Sequence, residues 1–409
     1  MSDLPLRIAQ VSEHASPLAD DIGSTDSGGQ NVYVRELSLA LAARGHHVTV
    51  YTRRTSPRQP RSVPLAPGVD VVHIAAGPAR ELPKEDLAPL MGDFGAQLAL
   101  HWRDHAPDLV HAHYWMSGIA ALSGARRGSI PVVTTFHALG LERIAHHPDR
   151  EQAHRERERE RERERVGSER TVAHIADAVI ALTPLEVEYL TRAMGVPPEK
   201  IAIVPVGVNT EHFTPDGPAM PRTSRLRLVA TGRLVERKGV RTVLAAHALL
   251  DELDVELLIA GGPAPEHLDD DPAVIALRAH AGPNVTFLGR VPHARVPELL
   301  RSADAYVCAP YYEPFGTAAL EAAACGLPVV APSTGGLATH IRHDTTGHLI
   351  PHPATPDALA AALRHVLTGR ARRAALADAA AAHARAHYSW PHVTGQILAI
   401  YRSLLQPAG

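Results

Sequence analysis

The chain alternates short β-rich runs with helical stretches, and it does so in two series. In the first series LRIAQVS (6–12), HHVTVYT (46–52), DVVHIAA (70–76), DLVHAHY (108–114), PVVTTFH (131–137), DAVIALT (177–183) and KIAIVPVGV (200–208) follow one another with longer segments between them. The segment after the first run, NVYVRELSLALAARG, sets Val32, Leu37, Ala40 and Leu41 in a stripe at helical spacing and closes on Gly45, a natural stop. Repeated β-α-β units of this kind require a largely parallel sheet with helices on both faces. The apolar period is lost at EHFTPDGPAMPRTSR (211–225), where four residues in fifteen are Pro or Gly. It resumes with RLVATGR, ELLIAGG, NVTFLGR, DAYVCAP and LPVVAPS. The expected organisation is two α/β domains, 1–217 and 218–388, and a C-terminal helix over 389–409; an Ala/Arg-rich surface helix is expected at 357–387.

Composition removes several classes of function. A net charge of −3 gives no field to gather nucleic acid or anionic lipid. The two cysteines, Cys308 and Cys325, sit in apolar runs without C-x-x-C spacing, which argues against a disulfide framework, an iron-sulfur site or a zinc finger. The N-terminus carries acidic residues where a signal peptide needs basic ones, and no stretch of 18 uncharged apolar residues occurs, so a soluble cytoplasmic protein is expected. Lysine is nearly absent: Lys84, Lys200 and Lys238 are the only three, which draws attention to where each one stands.

The run HRERERERERERV (154–166) would as a helix put opposite charges at i,i+3 and like charges at i,i+4, and as a strand would segregate arginines from glutamates. A solvated helix extension is the expectation, with an arginine reaching from its end into a cleft as the functional alternative.

Three segments carry chemistry. DSGGQNVYVREL lies between the first strand and the first helix, where Gly28 and Gly29 let backbone approach a ligand and the helix N-terminus favours an anion; Asp26, Ser27, Gln30 and Asn31 surround them. It is not G-x-G-x-x-G, which removes the main support for a dinucleotide site. TGRLVERKG (231–239) follows the first strand of the second series and gathers Arg233, Arg237 and Lys238, a planar fork and a point charge suited to adjacent phosphates. YYEPFGTAALEAAACGLPVVAPSTGG (311–336) reads as a loop, a short helix ending at Gly326 and a buried strand. The amides of Phe315, Gly316 and Thr317 would face an anion there, while Glu313 and Glu321 are placed to accept hydrogen bonds from hydroxyls on either side of it.

Taken in order and spacing, DSGGQNVYVRELSLALAARGHHVTVYTR, HAHYWMSG, VTTFHALG, VPVGVN, TGRLVERKGV and EPFGTAALEAAACGLPVV resemble the retaining glycosyltransferases of family 4. The branch resembled holds sucrose-phosphate synthase and the inositol-phosphate N-acetylglucosaminyltransferase of mycothiol synthesis. The resemblance implies a GT-B fold: two Rossmann-like domains facing a central cleft, the nucleotide sugar on the C-terminal one, the acceptor on the N-terminal one, and the last helix crossing back. It implies that Arg233 and Lys238 bind the donor diphosphate, Glu321 the ribose and Glu313 the sugar hydroxyls. Phe315, Gly316 and Thr317 would supply amides, Gly29 would close from the opposite domain, Arg290 would lie by the base, and His137 would meet the transferred sugar. Equivalents of a phosphorylated-acceptor site are Lys84, Tyr114, Thr135 and Arg165, with Arg161 or Arg163 as alternatives to the last. UDP is the base that this branch implies, with GDP open. GGLATHI offers no acidic residue after the second double glycine, so a donor contact there is not carried over.

The implied reaction moves a hexosyl or N-acetylhexosaminyl group to a hydroxyl of a small polar, phosphorylated sugar or cyclitol, with an unphosphorylated aminocyclitol as the alternative acceptor. Same-face attack, with a diphosphate oxygen taking the acceptor's proton, suits a site with no carboxylate assigned beneath the anomeric carbon. No cofactor and no essential metal are expected; His111-x-His113 lacks a third ligand. A nucleotide-sugar epimerase, a glucan phosphorylase and a non-catalytic sensor are the rival classes, and a homodimer is an open option.

Overall fold

The computed structural model describes residues 4–18, 29–126, 128–145, 155–222 and 226–406, with the helical backbone alone for 155–159. Eight strands build the first sheet: β1 (Arg7–Val11), β2 (His47–Arg53), β3 (Ser62–Ala66), β4 (Val69–Ile74), β5 (Leu109–His113), β6 (Val132–Thr135), β7 (Ala178–Ala181) and β8 (Ile201–Ile203). Six build the second: β9 (Leu226–Thr231), β10 (Val255–Ala260), β11 (Val285–Gly289), β12 (Ala305–Val307), β13 (Val329–Pro332) and β14 (Gly347–Ile350). The orders are β3-β4-β2-β1-β5-β6-β7-β8 and β11-β10-β9-β12-β13-β14, and every pair is parallel except β3 with β4. Two strands go beyond the sequence expectation. β3 contains Pro64, which lacks a ladder donor and is accommodated because β3 is an edge strand; β14 closes the opposite edge of the second sheet.

The strands alternate between two apolar layers, as a sheet buried on both faces must. Ile8, Val48 and Val50 face the helix Gly29–Ala42 through its Val34, Leu37 and Leu41, while Ala9, Val11 and Val110 face the other way onto Phe94, Leu98 and Ala120. In the second lobe Leu228, Leu257 and Ile259 pack against Leu359 and Leu363. The Ala/Arg-rich segment is two helices rather than one, Pro356–Thr368 and Arg370–Tyr388, divided at Gly369. Cys308 and Cys325 are free thiols. Among the described residues no helix is long and apolar enough to cross a membrane.

The helix Trp390–Leu405 lies on the first lobe, with Trp390, Val393, Ile397 and Tyr401 in the same cluster as Tyr33 and Leu37. Where the chain crosses between lobes, the Val208 amide donates to the Tyr388 carbonyl at 2.7 Å and the Trp390 amide to Val208 at 3.3 Å.

In each sheet the strand order reverses at the first strand, between β1 and β5 and between β9 and β12. Open α/β sheets hold ligands outside the carboxyl ends of such strands, and the segments after these four strands carry most of the residues described next.

Candidate functional site

On the second lobe the loop after β9 turns through Gly239, whose φ of 64° and close approach leave no room for a side chain: a Cβ there would lie 1.8 Å from the Ala309 carbonyl oxygen. That contact seats Lys238 beside the loop after β12, where its ammonium pairs with Glu313. Burial works to raise the Glu313 pKa, but Lys238 and Arg237, with the Gly316 amide donating at 3.4 Å, outweigh it and hold the carboxyl below its ordinary value. Glu321 stands inside the helix Thr317–Ala324 and faces His293 at 3.5 Å. Burial opposes the charged imidazole of His293, yet Glu321 and Glu36 prevail and raise its pKa. Arg233 and Arg290 line the same cavity, which measures about 430 Å³ and is closed on its far side by residues of the first lobe.

Gly29 opens its helix opposite Phe315 and Thr317: a Cβ on it would sit 3.6 Å from the Phe315 ring and 3.8 Å from Thr317 Oγ1. Asp26, Ser27 and Gly28 lie outside the described residues. Gln30 and Asn31 turn inward to structural tasks as well as lining the cleft: Gln30 donates to Ser12 Oγ and the His113 carbonyl, both at 3.2 Å, and Asn31 to the Ser16 carbonyl at 3.1 Å. His137 lines the cavity, 5.7 Å from the Phe315 ring between centroids. It adopts φ 63°, and Tyr114 adopts φ 82°; left-handed backbone at two non-glycine residues, both just past strand ends, is strain of the kind that collects at working sites.

Beside Tyr114 the structure brings together the cations anticipated for an acceptor. Lys84 Nζ lies 3.7 Å from the Tyr114 ring centroid and the Arg165 guanidinium carbon 5.1 Å from it. Burial, reinforced by Arg165 and Arg143 against the pull of Glu13, brings the Lys84 pKa down to about 8. Arg165 resolves the register of the charged run: it is buried on the helix Arg155–Ile175 while Arg161 and Arg163 are exposed. Its Nε donates to Glu169 at 2.7 Å and its Nη2 to the Ala138 carbonyl at 2.5 Å. Of the run's other described side chains, Glu160, Arg161, Arg163 and Glu164 are exposed on this helix.

Thr135 requires a correction. Its side chain is fully buried at the end of β6 and its hydroxyl shares a 2.8 Å hydrogen bond with His111 Nε2, so it stands behind the cavity wall, occupied by a core partner rather than presented to an acceptor. Sequence reading also missed Glu13 and His14, the residues that leave β1 at its carboxyl edge. Glu13 is buried, hydrogen-bonded to His14 Nδ1 at 2.6 Å and to the Ser117 hydroxyl. Burial raises its pKa, but His14, Ser117 and Lys84 more than compensate and it stays an anion. His14 lines the cavity. Their position just past the first strand of a doubly wound sheet was the available signal.

Metal readings do not gain support from the described residues. Both His111 nitrogens are taken, Nδ1 by the Tyr401 hydroxyl at 2.7 Å and Nε2 by Thr135. The string Asp269-Asp270-Asp271 is a D-x-D that sequence reading passed over, but Asp271 caps the helix Pro272–Arg278 and Asp269 pairs with Arg278. His343, Asp344 and His348 cluster on the surface, and hydrogen bonds account for them: the Leu349 amide donates to His343 Nδ1 at 3.1 Å, which puts the proton of a neutral ring on Nε2, 3.3 Å from Asp344.

Residues 27–212 match the family model described as Glycosyltransferase Family 4, and residues 221–383 that described as Glycosyl transferases group 1. A D-inositol 3-phosphate glycosyltransferase of Actinosynnema mirum is 35% identical over 97% of this chain and 96% of that protein. The chain belongs to glycosyltransferase family 4. A second D-inositol 3-phosphate glycosyltransferase, of Mycolicibacterium vanbaalenii, is 36% identical over 97% of this chain and 90% of its own. Among solved structures, sucrose-phosphate synthase from Thermosynechococcus elongatus superposes with a TM-score of 0.85 at 30% identity, covering 98% of this chain and 99% of that one. The architecture is that of a family-4 GT-B enzyme, two Rossmann-like lobes with a cleft between them, and the activity is nucleotide-sugar-dependent glycosyl transfer.

Proposed function

We propose that this family-4 enzyme transfers a hexosyl or N-acetylhexosaminyl group from a UDP-sugar to a hydroxyl of a small phosphorylated cyclitol or sugar, with retention at the anomeric carbon. The observation that carries the reading is the pairing of Lys84 and Arg165 around Tyr114 at the rim of the donor cavity. Among the described residues no carboxylate lies within ion-pair distance of the Lys84 ammonium, and two desolvated cations beside a phenol hydroxyl form a socket for a phosphate dianion. The D-inositol 3-phosphate glycosyltransferases and the sucrose-phosphate synthase to which the chain is similar bear names that fit the same acceptor chemistry.

In this reading residues 1–217 hold the acceptor, 218–388 the donor, and the last helix ties back to the first lobe. Lys238 and Arg233 neutralise the diphosphate as its bond to the anomeric carbon stretches, with the helix N-terminus after Gly316 adding its dipole. Glu321 takes the ribose, Arg290 flanks the base, and Phe315 and Thr317 face Gly29 over the phosphates. His137 hydrogen-bonds the transferred sugar once the lobes close. Glu313 is held by Lys238 and Glu321 faces His293, so neither stands as a free nucleophile, and same-face attack with a diphosphate oxygen receiving the acceptor's proton is the route this site favours.

The test is a panel of UDP-glucose and UDP-N-acetylglucosamine, each with inositol 1-phosphate, inositol 3-phosphate, fructose 6-phosphate, glucose 6-phosphate and the unphosphorylated parents. The reading requires a phosphorylated acceptor to be preferred in kcat/KM. An unphosphorylated or amino-bearing acceptor used equally well would replace it.

A further inference from the structure

Behind the cleft wall three histidines stand in a row. His111 and His113 share one face of β5, with ring centroids 4.2 Å apart, and His113 Nδ1 lies 3.0 Å from His137 Nε2. Burial drives all three far below the ordinary histidine value, His111 to about 3, and mutual repulsion lowers His113 and His137 further, so the row is neutral. A neutral pair sharing an N···N hydrogen bond holds one proton between the two nitrogens, and each ring carries one proton in all.

That leaves two arrangements. If His137 donates, its Nδ1 is a bare acceptor and His113 keeps a proton on Nε2. If His113 donates, His137 carries its proton on Nδ1 and His113 Nε2 is bare. His113 Nε2 and His137 Nδ1 are both buried and both lack a hydrogen-bond partner. A ligand in the cleft can satisfy His137, which lines it, whereas nothing that enters the cleft relieves His113, fully enclosed in the sheet. An orphaned buried N–H is the rarer and costlier defect than an orphaned lone pair. The second arrangement therefore wins.

We propose that His113 is a positioning residue that donates its Nδ1–H to His137 Nε2 and so fixes His137 as the neutral Nδ1–H tautomer, a hydrogen-bond donor toward the transferred sugar. The inference rests on the reading above that His137 meets that sugar. It also gives the arrangement a chemical purpose. Positive charge builds on the anomeric carbon as the diphosphate leaves, and an imidazolium beside it would oppose that charge, whereas a neutral N–H can hold a sugar oxygen without doing so. His111 completes the device from behind: with both nitrogens committed to Tyr401 and Thr135, it offers His113 no competing partner.

The test has two arms. Long-range proton–nitrogen correlation on the full-length, 15N-histidine-labelled protein saturated with UDP-glucose reads the tautomer directly, with His137 identified by the signals lost in His137→Phe. A protonated Nδ1 and bare Nε2 are expected, and the reverse pattern overturns the proposal. The kinetic arm compares His113→Asn, whose amide nitrogen can occupy the place of Nδ1, with His113→Leu, which removes the donor. His113→Leu should lower kcat about tenfold or more with UDP affinity by calorimetry kept within about twofold, and His113→Asn should recover most of the loss. Equal losses in both variants, or wild-type kcat in His113→Leu, would overturn it. If the wild-type enzyme transfers sugar to no phosphorylated acceptor, it is the functional reading that fails, and the tautomer is still decided by the first arm.

Discussion

Lys84 should weaken the fold that it equips for binding. Its ordinary pKa of 10.5 falls to about 8 in the folded chain because the ammonium is desolvated beside Arg165 and Arg143. Counted in full, that difference is roughly 3 kcal/mol of cost for keeping the side chain charged. For a base whose folded value is depressed, the cost is fully present below about pH 8, shrinks between there and about 10.5, and vanishes above. Lys84→Met keeps the stem over the Tyr114 ring and removes the charge. Part of the gain is lost because Glu13 is deprived of an attractive neighbour, so near neutral pH the variant should be about 1–2 kcal/mol more stable in urea unfolding, an advantage that fades toward pH 10. The same variant should lose about a hundredfold or more in kcat/KM for a phosphorylated acceptor, the scale of truncating one partner of a desolvated charge pair, with UDP affinity unchanged. In the wild type, kcat/KM for that acceptor should fall as pH rises through about 8, and Lys84→Arg, charged at every working pH, should show no such limb. A methionine variant that is less stable than wild type near neutral pH, or that keeps its phosphorylated acceptor, would refute the reasoning.

On the donor side, Lys238→Ala should weaken UDP binding by about 2–4 kcal/mol in calorimetry, since it removes the cation from the diphosphate and leaves Glu313 buried without its partner; unaltered affinity would remove Lys238 from the site. Tyr401→Phe takes the hydroxyl from His111 Nδ1 and should cost about 1–3 kcal/mol of stability by denaturant unfolding, and a change under about 0.5 kcal/mol would show that the hydrogen bond tying the last helix to the first sheet contributes little.

Much of this architecture was legible because parallel sheets buried on both faces write themselves as apolar runs, and because the donor side is built from contiguous segments. Lys238 and Glu313 were found through the loop and the helix start that carry them, though not the ion pair between them, which joins loops 75 residues apart in the chain. Thr135 shows the opposite case. Its place at the end of β6 is right for a site residue, but whether a strand-end side chain points at the cleft or at its neighbours depends on which residue of the adjacent strand reaches it; the register pairs Thr135 with His113, and the diagonal neighbour His111 takes its hydroxyl. Arg165 was ambiguous among alternating charges, although the phase was available: counting back from Val172 and Ala173, which are buried, by one and two helical turns reaches Glu169 and Arg165. Glu13 had no pattern around it, and its burial follows from Ser117, which arrives from a helix 104 residues later.

The two passages of the chain from one lobe to the other run side by side and are bonded to each other, Val208 to Tyr388 and to Trp390. A single tether would let one lobe swivel and tilt on the other; two tethers fastened at one point leave a door on its hinge, free to swing and little else. Trp390 is wedged against Gly207 at that pivot, where a Cβ would fall 2.5 Å from the indole, and its ring meets Tyr33 at 5.3 Å between centroids. Tyr33 belongs to the helix that begins at Gly29 and touches His137 at 4.9 Å between centroids. The pivot and the cavity wall that carries His137 are therefore joined by one unbroken chain of ring contacts, so a disturbance at the crossing has a direct route to that wall.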